Sequence, residues 1–362
     1  MIIRISYATF TTTSKTWNFI IGVTKTVDDL FNIDFLELGS RADRIRQEKW
    51  GKKTFFVRNL HLNYTNICVS KCRFCAFEKD DGEDGAYLLE IDDMVKYVDE
   101  NGKDTVEIHI VGGLHPSKPF EFYTEALSAL KSTFPEKTIK AFSAVEIEYF
   151  AGISGLSAKE VLLALKKSGL EMMPGGGAEI FAPEVRNVIC PEKIPAERWL
   201  EIHELAHLNG VKTNATMLYG HIEKNEHKIA HLEAIRDLQE KTGGFLAFIP
   251  LSFHPENTFL NDLYPATGVD DLKTIAVSRI VLENVPHIKA YWVMLGEKTA
   301  QTALRFGADD LDGTIIKENI THAAGATSSE GLTVDTLVDF CKSAGLQAVE
   351  RDAFYNEIKV YG

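Results

Sequence analysis

The sequence predicts an α/β chain, a (β/α)8 TIM-type barrel with an N-terminal helical extension. From residue 60 onward, short runs rich in β-branched residues alternate with longer amphipathic segments, the pattern of repeated βα units around a parallel sheet. Close to eight such units fit into the rest of the chain, the count of a closed barrel. No linker rich in Pro, Gly or Ser divides them, and no short-period repeat is present.

Taken in order, residues 28–52 read as one or two charged helices leading into the barrel. The segment before residue 27 has weak periodicity and is expected to be disordered or to cap the barrel bottom. Strands are expected at 60–67, 105–111, 138–142, 170–173, 211–216, 245–249, 287–292 and, with the faintest pattern, 311–316. Helices are expected at 91–101, 119–132, 157–168, 195–208, 225–241, 269–284, 298–306 and 333–344. Pro119 and Pro195 stand where a first helical turn tolerates proline. The expected organisation is an extension over 1–55, a barrel core over 56–325, and a C-terminal helix with a strand-like tail over 326–362.

The 362 residues, 45% hydrophobic, can bury a large core. A net charge of −13 argues against nucleic acid or an anionic membrane as the main partner. A small anionic ligand is still allowed, because charges beyond a Debye length of ~8 Å are largely screened. No stretch approaches the ~20 apolar residues of a membrane helix. The short run from Trp17 to Val23 has no small-residue cleavage site, so no signal peptide is expected.

The most informative motif is Cys68-x3-Cys72-x2-Cys75. A four-iron cluster normally takes four cysteines; three leave one iron free to bind a small molecule, the arrangement of radical S-adenosylmethionine (SAM) enzymes. A zinc site with a fourth ligand, or inert thiols, could use the same residues. No second Cys pair exists, Cys190 and Cys341 standing alone. Thiols kept reduced for a cluster place the chain in the cytoplasm.

Barrel active sites are built from the loops after the strands, and polar residues gather there. The second strand is followed by Gly112, Gly113 and His115, the two glycines letting a ligand approach the backbone. The third is followed by Ser143 and Glu146, the fourth by Gly175, Gly176, Gly177 and Glu179, with Arg186 beyond. The fifth offers Asn214, Thr216, Tyr219 and His221; the sixth Ser252, His254 and Asn257; the seventh Tyr291 and Trp292; the last Asp309, Asp310 and Asp312. Plainer roles stand beside these: a turn for the glycines, a lysine partner for Glu146, an ion pair with Glu184 for Arg186. Tyr291 and Trp292 would alternate across a strand, so one faces the barrel and the other the core. His203-Glu204-Leu205-Ala206-His207 matches the zinc-binding pattern H-E-x-x-H, but it falls mid-helix outside the barrel, where solvated or packing histidines are expected.

The segments 61–68, 111–116, 174–181 and 214–221 resemble the aminofutalosine synthase family of the futalosine route to menaquinone, and 242–245, 248–251, 290–296 and 310–314 continue the likeness. It spans roughly residues 30 to 356. Dehypoxanthine futalosine cyclase and the radical enzymes that assemble a deazaflavin share the cysteine and Gly-Gly-Gly-Ala-Glu motifs; 214–221, 248–253 and 290–296 look more like the synthase.

The resemblance implies a 4Fe-4S cluster on Cys68, Cys72 and Cys75, with SAM consumed as co-substrate. It implies addition of the 5′-deoxyadenosyl radical to the enol-ether double bond of 3-[(1-carboxyvinyl)oxy]benzoate, then rearrangement and loss of a carboxyl group, giving aminodeoxyfutalosine and methionine. On this pattern Phe74 packs near the adenine, Gly112 and Gly113 receive the methionine ammonium, and Ser143, Glu179 and Arg186 complete that site. His61, Asn63, Asn214, His221 and His254 are the candidates to fix the dianionic substrate, with Tyr219 and Tyr291 at the same strand ends. A low-potential donor such as flavodoxin or ferredoxin is the implied partner.

Overall fold

The computed structural model describes residues 27–362, so the expectation for the segment before residue 27 lies outside the described residues. The strands are β1 (Lys53–Val57), β2 (Asn59–Leu62), β3 (Glu107–Ile110), β4 (Thr138–Ala141), β5 (Met172–Met173), β6 (Lys212–Tyr219), β7 (Phe245–Ser252), β8 (His287–Ile288), β9 (Asp310–Gly313), β10 (Gln347–Arg351) and β11 (Glu357–Val360). Strands β2 to β8 form one seven-stranded sheet in sequence order, every pairing parallel. Such order needs a crossover between neighbours, and helices supply it.

The eighth position is shared. β9 meets the end of the sheet through a parallel bridge between Lys289 and Asp310 and pairs with β1. The segment after β9 returns to β2: the His61 amide donates to the Ile315 carbonyl at 3.3 Å, and the Ile315 amide donates to Asn59 Oδ1 at 2.9 Å. Arg58 interrupts β1 and β2, so one extended segment serves two sheets. β1 also pairs in parallel with β10, which carries antiparallel β11. β1 thus runs across the expected boundary between 55 and 56.

Three expectations need correction. The run 287–292 is strand only to Ile288; Trp292–Leu295 is a helical turn. Trp292 is fully buried and donates from Nε1 to the Gly313 carbonyl at 2.9 Å, which holds the turn against β9. The helix Ala144–Ser154 was not anticipated. It is apolar nearly all round, so a 3.6-residue stripe is hard to see, yet Ser143 and Glu146 form a capping box, a pattern readable in sequence. The helix Pro183–Ile189 was also missed, although Pro183 stands at its first turn.

Candidate active site

The cysteine loop leaves β2 and is fastened on three sides. The Cys68 amide donates to Lys79 O at 3.2 Å, Val69 N to Leu114 O at 3.2 Å, and Arg73 N to Ile189 O at 2.9 Å. Lys71 sits at a φ of 46°, a left-handed conformation that turns the chain between the first two cysteines. Cys68, Cys72 and Cys75 all line one cavity of about 350 Å³. Burial pushes the thiols of Cys72 and Cys75 up. Because the thiolate is the ligand form, a cationic metal centre is what would draw these protons off. Three clustered soft donors facing a cavity fit an iron–sulfur cluster with an open iron.

The glycine loops are built around that one. A Cβ on Gly113 would lie 2.2 Å from Ile67 O, and one on Gly112 2.6 Å from the Tyr64 ring. Both glycines line the cavity, but close packing alone already demands them. Tyr64 donates from its hydroxyl toward Gly113 O at 3.1 Å and Glu146 Oε1 at 3.2 Å, tying cysteine loop, glycine loop and helix cap together. Glu146 accepts from the Ser143 amide at 2.6 Å and hydroxyl at 2.8 Å; burial raises its pKa to about 7. In the second loop Gly175 and Gly177 are likewise required by packing, whereas a Cβ on Gly176 meets nothing closer than 3.7 Å. Glu179, at a φ of 45°, pairs with Lys193 at 2.5 Å, and the Lys193 ammonium lies 5.0 Å from the centre of the Phe74 ring.

The cavity gathers His61, Asn214, His254, Tyr291, Phe74, Gly112, Gly113, Ser143, Glu179 and the three cysteines. His254 donates from Nε2 to Met294 O at 2.8 Å.

Four expected site residues stand outside the lining, each for a visible reason. Arg186 is buried and donates to the carbonyls of Ala178 at 2.5 Å, Ile180 at 3.2 Å, Gly177 at 3.4 Å and Ile194 at 2.5 Å; it shapes the glycine loop from behind. Tyr219 donates to Asp271 Oδ1 at 2.7 Å in the core. His221 donates to Leu218 O at 3.1 Å and accepts from Ile222 N at 2.8 Å, folded onto its own turn. Asn63 donates to Val111 O at 3.0 Å, holding the start of the loop to β3.

Residues the sequence reading passed over are His109, Lys140, Lys193, Lys289 and Glu318, all lining the cavity. Lys140 pairs with Glu107, and Lys289 with Asp312, all four buried. A charged residue inside a strand normally reads as outward-facing, so only barrel register could reveal them.

The H-E-x-x-H histidines are packing groups. Thr242 donates its hydroxyl to Leu238 O at 2.9 Å, so it accepts from His207 Nδ1 at 2.7 Å. His207 Nε2 must then accept from Thr213 Oγ1 at 2.8 Å, which spends the lone pair a metal would need. Burial lowers the His207 pKa from 6.5 to about 4. The unfolded state therefore binds the proton first, so this contribution to stability is present above about pH 6.5 and lost as pH falls toward 4. A His207→Gln variant is expected to unfold with a flatter dependence across that window in thermal melts, and to retain activity.

Comparison with known proteins supports the same picture. The Radical SAM superfamily model matches residues 62–235, and the CofH/MqnC C-terminal region model matches 242–361. The chain is similar to the aminodeoxyfutalosine synthase of Thermus thermophilus, 47% identical over 88% of this chain and 87% of that protein. It is 43% identical to the Streptomyces coelicolor aminodeoxyfutalosine synthase over 91% and 88%. The Methanocaldococcus jannaschii 5-amino-6-(D-ribitylamino)uracil–L-tyrosine 4-hydroxyphenyl transferase is 42% identical over 88% and 91%. Among solved structures, methylornithine synthase (PylB) superposes with a TM-score of 0.71 at 15% identity, covering 88% of this chain and 92% of that one. That likeness shows the fold.

Proposed function

The chain belongs to the aminodeoxyfutalosine synthase family of radical SAM enzymes, and from that premise we propose that it converts 3-[(1-carboxyvinyl)oxy]benzoate and SAM to aminodeoxyfutalosine and methionine, with loss of a carboxyl group. As a radical SAM enzyme it uses a 4Fe-4S cluster and SAM. Cys68, Cys72 and Cys75 would hold the cluster, which supplies the electron that cleaves the sulfonium and so the carbon radical that joins the enol ether.

The protein's own part is binding, orientation and exclusion of water. The observation that carries the reading is that the cysteine loop and a wall of hydrogen-bonding and cationic side chains open into the same cavity. The alkene must be held in near-attack geometry, ~3–3.5 Å from the reacting carbon, and walls from many strands hold it. Glu179, fixed by Lys193, offers its carboxylate to ribose hydroxyls or to the methionine ammonium, and Ser143 lines the same cavity. Phe74 offers a face to the adenine. His61, Asn214, His254 and Tyr291 serve the acceptor. A low-potential flavodoxin or ferredoxin in the cytoplasm supplies the electron. Among the described residues no helix is long and apolar enough to cross a membrane.

A second reading has a specific basis. The tyrosine 4-hydroxyphenyl transferases match as much of the chain at somewhat lower identity, and the motifs around the cysteines cannot separate the two. Anaerobic reconstitution with iron and sulfide, reduction, and mass spectrometry in the presence of each substrate set would decide. Aminodeoxyfutalosine is the expected product. Tyrosine-dependent product formation from the ribitylaminouracil would replace the first reading with the second.

A further inference from the structure

Three adjacent strands carry a row of polar side chains in exact register at the cavity floor. His61 on β2 pairs with His109 on β3, and His109 with Lys140 on β4. Residues level across a sheet point to the same face, and all three line the cavity. The two imidazoles meet edge to face with ring centres 4.7 Å apart. Among the described residues neither His61 Nε2 nor His109 Nε2 has a hydrogen-bond partner, nor does Asn214 Oδ1 on the facing wall, and all three atoms are buried. Leaving a buried polar atom unpaired is unfavourable. Burial pushes both imidazoles toward the neutral form, in which each ring keeps one N–H to donate. Lys140 is held by Glu107 one layer deeper, so its charge stays at the edge of the row. Across the barrel Lys289 is held in the same way by Asp312.

We propose that the His61–His109–Lys140 row seats one carboxylate of the acceptor, and specifically the carboxylate on the aromatic ring. This rests on the acceptor named above and deepens it. The cysteine loop follows the end of β2, so the radical carbon arises at the mouth, above the row. The enol carboxylate is attached to the alkene itself and must stay near that mouth. The ring carboxylate, on the far side of the aromatic ring, is the one that reaches the strand interior. His109 and Lys140 are substrate-binding residues here: they set how deep the ring sits and hence which carbon faces the radical.

The test uses two monoacid probes on the anaerobically reconstituted enzyme with SAM, with affinity measured by equilibrium dialysis. One, 3-(vinyloxy)benzoate, keeps only the ring carboxylate; the other, 2-phenoxyacrylate, keeps only the enol carboxylate. His109→Leu is expected to weaken the first by roughly 10- to 100-fold, the loss of one charge-assisted hydrogen bond, and to leave the second unchanged. The double variant Glu107→Gln/Lys140→Gln, which leaves no unpaired buried charge, is expected to show the same selectivity. A merely structural role would lower both affinities together or neither, and either result overturns the assignment, as would selective loss of the second probe. If the wild-type enzyme binds neither probe nor the parent dianion, the acceptor reading itself fails and takes this inference with it. Iron content and circular dichroism of each variant separate misfolding from lost recognition.

Discussion

Gly113→Ala is expected to bring iron content after reconstitution and cleavage of SAM close to background while the barrel stays folded. The added methyl would lie 2.2 Å from the Ile67 carbonyl oxygen and 3.0 Å from Cys68 Cβ, and neither is the free end of a flexible side chain. The segment from Ile67 to Cys68 has to move instead. It is tied to Lys79 and Leu114 through the amides of Cys68 and Val69, so the displacement passes directly to the first cysteine. Overpacking of this kind costs about 1–3 kcal/mol, tolerable for a barrel of this size. A misplacement near 1 Å in a reacting constellation costs on the order of 100-fold in rate. Gly176→Ala is the matched control, because its Cβ finds ordinary space beside Ser143 at 3.7 Å. It should load iron normally. Equal iron loading in both variants would show that the Gly113 contact does not govern the cysteine loop.

Arg279→Met is expected to destabilise the protein by about 3–5 kcal/mol, the usual cost of leaving one partner of a buried ion pair alone. Arg279 is fully buried in the helix Gly268–Val281. It pairs with Asp309 and donates to Gly307 O at 2.8 Å and Pro286 O at 3.1 Å. Asp309 in turn accepts from His287 at 2.5 Å and from the Ile288 amide at 2.9 Å, while His287 stacks between Trp50 and Tyr355 at 4.4 and 3.5 Å. Methionine keeps the apolar stem but takes the guanidinium away from the buried Asp309 carboxylate and from the carbonyls of Gly307, Val285 and Pro286. Urea unfolding should show a lower midpoint with unchanged slope. A shift worth less than 1 kcal/mol would mean that His287 and the Ile288 amide together suffice to hold Asp309.

Most of the barrel was legible because a buried parallel strand must be apolar and its crossover helix must be amphipathic. The expected helix at 91–101 is the helix Ile91–Asn101, and the expected strand at 138–142 is β4. What stayed hidden depends on partners distant in sequence. Nothing local in 53–57 says that it will lie between β9 and β10. Tyr291 and Trp292 have strand-like chemistry, but Trp292 is drawn into a helical turn by the Gly313 carbonyl. In the cavity the cysteines were legible by spacing, whereas His109 and Lys140 carry meaning only through their register with His61. Arg186, Tyr219, His221 and Asn63 had the right chemistry for a ligand, and nearby backbone or Asp271 claimed it first.

β1 has a consequence for the order in which the chain can be completed. Both of its neighbours, β9 and β10, are synthesised late, β10 almost three hundred residues after it. At ~5–20 residues per second on a ribosome, the Phe55-Phe56-Val57 run waits roughly 15–60 s for its second edge to appear. Until β9 emerges the apolar strand has neither edge covered, and until β10 emerges it has only one, which is the condition for pairing with another nascent chain. Slowing elongation should therefore lower the soluble fraction made in a cell, even though the finished protein is unchanged.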